Sequence, residues 1–357
     1  MSGALELIDL SYAYEGRDVV REVSLDVQAG EIVCLLGPSG CGKTTCLRIA
    51  AGLEPLDRGE VRIAGTRVAG GGVHVPPEKR RVGLVLQDYA LFPHLTVEDN
   101  IGFGLEGVSR AERRRRSRAL LAQVGLEEYA KAYPHEISGG EQQRVALVRA
   151  LAPEPAVMLM DEPFSGLDVT LRAAVREQAI AVLRARQAPT LIVTHDPEEA
   201  LAVADRIAIM RDGRIVQVDT AETVYLSPND PFVLQFFGVP NRLSGKVGPQ
   251  GEVETGFGRI ARPGLTPGAC VDIYFRGNAL QVAADGQGRE MLVESARLLG
   301  PVQRVVLRPP EGGAPVVMEH ARRFAVSAGD RLRVRMAGNE FYVFETEQPI
   351  VEKERTS

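Results

Sequence analysis

The chain is 357 residues long, with 45% hydrophobic and 25% charged residues, the composition of a soluble globular protein of one or two domains. A net charge of −5 argues against a general nucleic-acid-binding surface. Cys34, Cys41, Cys46 and Cys270 form no CxxC pair and no metal-ligand spacing, which points to reduced thiols and not to a disulfide scaffold.

In chain order, Glu31-Ile32-Val33-Cys34-Leu35-Leu36 reads as a buried strand and Thr44 to Ala51 as a helix. Between them, Gly37-Pro38-Ser39-Gly40-Cys41-Gly42-Lys43-Thr44 fits G-x-x-x-x-G-K-[ST], a loop that wraps a nucleotide's phosphates. The residue types suit that role. Glycines allow a tight turn whose successive N–H groups point inward at anionic oxygens. Lys43 adds a compact positive charge able to reach the β- and γ-phosphates, and the Thr44 hydroxyl can hold Mg²⁺. The N-terminus of the next helix favours anions, so the expected cradle extends through Thr45. A Gly-rich turn without function is the bland alternative; a strand before and a helix after weigh against it.

Further on, Val82–Leu86 reads as a strand and roughly Thr96 to Leu151 as a helical stretch. Within it, Arg113-Arg114-Arg115-Arg116 follows Glu112 and leads into Leu120, Leu121 and Val124, the pattern of a solvated helix face and not of a nucleic-acid patch. Ser138-Gly139-Gly140 opens a second helix and makes another anion cradle, although alone it could be an ordinary cap. The apolar strand Val157–Met160 then ends in two carboxylates. Asp161 is well placed to hold Mg²⁺ through a water, and Glu162 beside it can polarise an attacking water. A last strand, Leu191–Thr194, ends at His195. Alternating strands and helices to about residue 240 predict an α/β domain with a largely parallel sheet.

After Asn241 the pattern changes to period two, as in Arg331–Met336 and Glu340–Glu345, among turns such as Arg262-Pro263-Gly264 and Pro309–Gly313. This predicts a small antiparallel β-barrel over 241–347, with a polar tail at 348–357. His320 and Cys270 are distant singletons and make a poor metal site.

The phosphate loop, the Ser-Gly-Gly helix, the Asp-Glu strand, Ser165-Gly166-Leu167-Asp168 and Thr194-His195-Asp196, in this order across residues 1–240, resemble the ATP-binding-cassette ATPases. The resemblance implies a P-loop ATPase domain with a helical subdomain at about 96–151. It implies that Tyr14 stacks on adenine, with Tyr12 the rival. Gln87 would touch Mg²⁺ and the attacking water, and His195 would hold the γ-phosphate and orient Glu162. It also implies a head-to-tail homodimer. Each ATP would sit between one phosphate loop and the other copy's Ser138, Gly139 and Gly140, with Asp168 coupling the two sites. The family's usual Gln after the two glycines is Glu141 here, a second negative charge near ATP unless it points away.

Within the family, Gln87–Val97 resembles the importer ATPases' groove for a helix of the membrane permease. The β-rich tail resembles their oligonucleotide-fold-like appended domains, which serve dimerisation or regulation. No signal peptide and no bilayer-length apolar stretch is expected, so a membrane role would run through the permease at the cytoplasmic face of the inner membrane. An extracytoplasmic solute-binding protein would act indirectly. The blocks Val75–Val85 and Phe237–Leu243 look most like ferric-iron importers, with polyamine, sulfate, thiamine, phosphonate and sugar importers as alternatives. A soluble cassette protein working on nucleic acid is disfavoured by the single cassette and the lack of a heptad run.

Overall fold

Strands buried on both faces carry unbroken apolar runs, and such runs build the centre of this fold. The computed structural model describes residues 3–261, 264–283, 288–321, 324–337 and 340–346; the expected polar tail, and Arg262 and Pro263 of one expected turn, lie outside them. The chain divides into two compact units, 1–227 and 228–357.

The first unit opens with β1 (Leu5–Tyr14), β2 (Arg17–Val27), β3 (Ile32–Leu36) and α1 (Lys43–Ala51). There follow β4 (Arg58–Ile63), β5 (Thr66–Gly70), β6 (Val73–His74) and β7 (Val82–Val85). The expected helical stretch consists of α2 (Val97–Gly102), α3 (Arg110–Gln123) and α4 (Gly139–Leu151). The unit ends with β8 (Val157–Asp161), α5 (Val169–Ala185), β9 (Thr190–Thr194), α6 (Pro197–Val203), β10 (Arg206–Arg211), β11 (Arg214–Thr220) and α7 (Ala221–Leu226). One sheet runs β11-β10-β3-β9-β8-β7, parallel except for β11. Every residue of β3, β8 and β9 is buried. The second sheet, β2-β1-β4-β5-β6, is antiparallel and shares one apolar core with the first.

Helix α1 is held at both ends. Gly42 enters it with φ 107°, and Gly52 leaves it with φ 85°, conformations that cost an L side chain. Past the C-terminus lies Arg80, only 2% exposed. Its Nη1 donates to the carbonyls of Ile49 (2.7 Å) and Ala50 (3.0 Å), and its Nε to Val75 O (2.7 Å). A cation on the last carbonyls of a helix satisfies orphan acceptors and opposes the dipole's negative end.

The arginine run lies on α3 and is occupied locally: Arg115 and Arg116 pair with Glu112, and Arg114 and Arg118 with Glu98 of α2. Ahead of α2, Asn100 fixes the segment 92–96, accepting from Phe92 N and donating to the carbonyls of Phe92, Leu95 and Thr96.

The second unit begins at Pro228, 13 residues before the expected boundary at Asn241. Alternation in sequence marks only the first strand, whereas α8 (Pro231–Phe236) already belongs to the second unit. Its strands are β12 (Asn241–Lys246), β13 (Glu252–Thr255), β14 (Gly258–Ala261), β15 (Cys270–Phe275), β16 (Leu280–Val282), β17 (Arg289–Leu299), β18 (Val302–Arg308), β19 (Val316–His320), β20 (Arg331–Met336) and β21 (Tyr342–Thr346). Among the described residues they form three antiparallel sheets with open strand orders, β12-β15-β21, β13-β14 and β16-β20-β17-β18-β19. Antiparallel β structure is therefore what the second unit has, over two apolar clusters that share Leu243, Met336 and Phe341 at their margins.

Arg80→Met keeps the aliphatic stem and removes all three carbonyl contacts. It should lower the first unit's unfolding free energy by ~3 kcal/mol in urea titration. An unchanged midpoint would show that α1 does not rely on this cap.

Candidate nucleotide site

The carboxyl ends of β3, β7, β8 and β9 converge, the usual location of ligand sites in open parallel sheets. In register, Leu36 faces Thr194, Asp161 faces Val193 and Val85 faces Met160. The loop leaving β3 is tightly wedged. A Cβ on Gly37 would meet Met210 O at 2.3 Å, and one on Gly42 would meet Val19 O at 2.6 Å. Pro38, Ser39 and Gly40 are exposed, while Cys41 is buried in the core. Lys43, 5% exposed, curls back over the loop and donates from Nζ to Gly37 O (2.8 Å) and Pro38 O (2.9 Å). Helix α1 begins without a side-chain cap, which leaves the first-turn N–H groups of Lys43, Thr44 and Thr45 as donors that an anion could take.

Thr44 Oγ1 donates to Asp161 Oδ1 at 3.0 Å, joining the loop to the end of β8. Burial lifts the Asp161 carboxyl above its usual range; Glu162 adds to this, while Thr44, Arg48 and Lys43 oppose it. A hydroxyl, a carboxylate and the amide of Gln87 are hard oxygen donors of the kind that suit Mg²⁺. Gln87 is exposed in the turn after β7.

Glu162 sits in the left-handed region at φ 44°, a conformation that costs a non-glycine residue of order 1–3 kcal/mol. The turn around it resists that strain: its N–H donates to Val193 O (2.8 Å), and its carbonyl accepts from Ser165 Oγ (3.0 Å). This aims the carboxylate at His195, whose Nδ1 lies 2.8 Å from Glu162 Oε1. Tyr14 is 60% exposed at the end of β1, on a cleft of about 360 Å³ with Arg17, Val19, Gly40 and Gly213. Tyr12 is engaged elsewhere: its hydroxyl donates to Glu54 Oε2 (3.3 Å) and its ring packs on the core.

Ser138 precedes α4. Among the described residues no hydrogen bond joins Ser138–Gly140 to the phosphate loop of the same chain. Glu141 turns back on its own helix start, accepting from Ser138 N (2.7 Å) and Ser138 Oγ (2.8 Å). Burial acts to raise its carboxyl pKa, but those bonds from Ser138, with Arg144 nearby, outweigh it and hold the group below its usual range. The departure at this position is thus a capping carboxylate. Asp168 is exposed, and its carbonyl accepts from Arg172 N (3.0 Å) at the start of α5.

Three residues absent from the sequence expectation matter here. Arg80 caps α1. Arg149 of α4 donates to Ala90 O (2.6 Å) and Tyr89 O (2.9 Å), beside Gln87, and lies over the Phe92 ring at 5.5 Å. It pins two residues with φ of 61° and 43°. Glu199 is buried on α6 four residues after His195. The one sequence signal for Glu199 was a carboxylate on the apolar face made with Ala200 and Val203.

The model of the family described as ABC transporter matches residues 20–165. The protein named Fe(3+) ions import ATP-binding protein FbpC 2 of Rhodococcus jostii (strain RHA1) is 41% identical over 344 residues, 95% of this chain and 98% of that protein. The chain belongs to the ATP-binding-cassette (ABC) transporter family. Another similar protein, Fe(3+) ions import ATP-binding protein FbpC of Serratia marcescens, is 38% identical and matched over 97% of its length. The spermidine/putrescine import ATP-binding protein PotA 1 of Pseudomonas aeruginosa is 40% identical, matched over 90%. A solved structure, the dimeric post-hydrolysis state of the ATP-binding cassette MJ0796 bound to ADP and Pi, aligns with TM-score 0.54 and 30% identity. That alignment covers 61% of this chain and 98% of that one, which fits the cassette of the first unit. The chain is an ABC ATPase with the fold of that cassette, and it uses ATP and Mg²⁺. Among the described residues, no helix is long and apolar enough to cross a membrane.

Because Glu141 caps its helix and does not project outward, Glu141→Gln should leave ATP turnover within roughly tenfold of wild type. A larger change in a steady-state phosphate-release assay would show that the charge acts on the nucleotide.

Proposed function

We propose that this chain is the ATP-hydrolysing subunit of a ferric-iron importer, docked at the cytoplasmic face of the inner membrane on a separate permease served by an extracytoplasmic binding protein. The observation that carries the catalytic part is the Glu162–His195 pair, 2.8 Å apart, at the sheet end that also bears the Thr44–Asp161 bond. The iron assignment rests on relatives named for Fe(3+) import that match nearly their whole length. A polyamine importer is the second reading, favoured by the spermidine/putrescine relative.

In this reading the phosphate chain of ATP lies over the first turn of α1, with Tyr14 against adenine. Lys43 leaves the Gly37 and Pro38 carbonyls for the β- and γ-phosphate oxygens, a charge-assisted exchange. Thr44, Gln87 and Asp161 would hold Mg²⁺, which supplies neutralisation of charge on the phosphates. Glu162 accepts a proton from the attacking water, and His195 orients Glu162 through Nδ1 while its other nitrogen faces the γ-phosphate. Ser138, Gly139 and Gly140 serve the ATP of a second copy in a head-to-tail homodimer, with Asp168 at that interface. That a related cassette has been solved as a dimer supports the pairing of two copies. The second unit serves dimerisation or regulation. Its five-stranded sheet, β16-β20-β17-β18-β19, has the strand number of an oligonucleotide-type fold.

Glu162→Gln should bind ATP and lose about 10²-fold or more of turnover, while Lys43→Ala should weaken nucleotide binding itself. Full turnover in the first variant, or unchanged ATP affinity in the second, would contradict the roles given to these residues. Labelled Fe³⁺ uptake by cells lacking the gene should return with wild type and not with Glu162→Gln. Uptake indifferent to the gene would remove iron, and labelled spermidine would then be the substrate to test.

A further inference from the structure

Glu199 is a buried acid that the proposed chemistry does not use. It lies on α6 with 3% of its surface exposed, and its Oε1 has no hydrogen-bond partner. Its Oε2 accepts from the Thr194 hydroxyl at 3.0 Å. Thr194, 2% exposed, is the last residue of β9, and its Oγ1 in turn accepts from Asp196 N at 3.1 Å. Asp196 Oδ1 then accepts from Glu198 N (2.9 Å) and Glu199 N (3.2 Å), capping α6. The hydrogen bonds close a ring, Glu199 to Thr194 to Asp196 and back to Glu199, and the backbone it encloses carries His195.

We infer that Glu199 is a positioning residue for His195: acting through the Thr194 hydroxyl, its buried carboxylate fixes the turn on which the imidazole meets Glu162. The inference rests on the role proposed above for the Glu162–His195 pair. An ordinary helix cap needs only Asp196, and nothing in that cap requires a carboxylate inside the core, where an ionised acid is costly. The second acceptor makes sense as a brace on Thr194, since the strand end and the helix start must keep a fixed angle for Nδ1 to stay 2.8 Å from Glu162.

The groups that face Glu199 come from three elements. Arg172 and Arg176 lie on α5 and Asp196 on the turn, while the Cys34 thiol of β3 is itself pushed well up, by burial first and then by Glu199. Burial dominates at Glu199, Asp196 adds to it, and Thr194 and the two arginines oppose it; the carboxyl is pushed up to about 7. Above that pH the ionised acid is the stronger acceptor for the Thr194 hydroxyl. Below it the acid is neutral, the brace weakens, and hydrolysis falls.

The test is ATP turnover by the full-length chain between pH 6 and 8.5, for wild type, Glu199→Gln and Thr194→Val, with Glu162→Gln as control. Wild type should lose about three- to tenfold in kcat on acidification through pH 7, with KM for ATP within about twofold. Glu199→Gln offers Thr194 a neutral acceptor at every pH, so it should lose the acid limb and run about three- to tenfold below wild-type kcat at pH 8, level with wild type at pH 6. Thr194→Val should lower kcat at every pH without altering KM, and Thr194→Ser should restore it. The Thr194 pair also keeps the inference open to refutation should Glu199→Gln not fold. An unchanged acid limb in Glu199→Gln, or full turnover in Thr194→Val, would overturn the inference. Full turnover in Glu162→Gln would instead remove the reading of the site on which it rests.

Discussion

The site depends on a register: four parallel strands whose carboxyl ends fall within about two residues of one another. Leu36 pairs with Thr194 and Asp161 with Val193, one residue earlier, so the phosphate loop, the acidic pair and the histidine emerge side by side. None of these side chains is close in sequence, and only backbone hydrogen bonding sets their spacing. A slip of one residue in β8 would exchange which of its side chains faces each side of the sheet. Full burial of β3, β8 and β9 between α1 on one side and the rest of the core makes such a slip costly.

Three buried charged groups around the site are met by specific partners. Lys43 has two loop carbonyls, Arg80 three carbonyls, and Asp161 the Thr44 hydroxyl. Arg80 and Lys43 bear on opposite ends of one short helix, so α1 is braced by a cation at its negative end and offers its positive end to anions. Glu162 shows the other device, backbone strain held by its surroundings, which directs a side chain without any charge partner on the helix.

Local chemistry was legible in the sequence wherever a motif imposes its own geometry. The phosphate loop, the strand ending in Asp161 and Glu162, and the strand ending at His195 are each contiguous, and period and residue type alone expose them. Arg80, Arg149 and Glu199 were not legible, because each acts on residues far along the chain or across a turn. Arg80 meets carbonyls about 30 residues away, and Arg149 about 60. Glu141 looked like a misplaced charge only when set against the family's usual Gln; Ser138-x-x-Glu141 is itself the sequence pattern of a capping box. Period-two alternation foretold strands after Asn241 but not their partition among three sheets, since strand pairing is a long-range property.

Helix α4 links two of these features through a single rigid body. Ser138 stands at its beginning, and Arg149, eleven residues on, grips the backbone of Tyr89 and Ala90 near its end. At 1.5 Å per residue the two lie roughly 16 Å apart, with unbroken helix between them. Such a rod has no soft joint along its length. The backbone of Tyr89 and Ala90 is thereby tied to the same unbroken helix that begins beside Ser138.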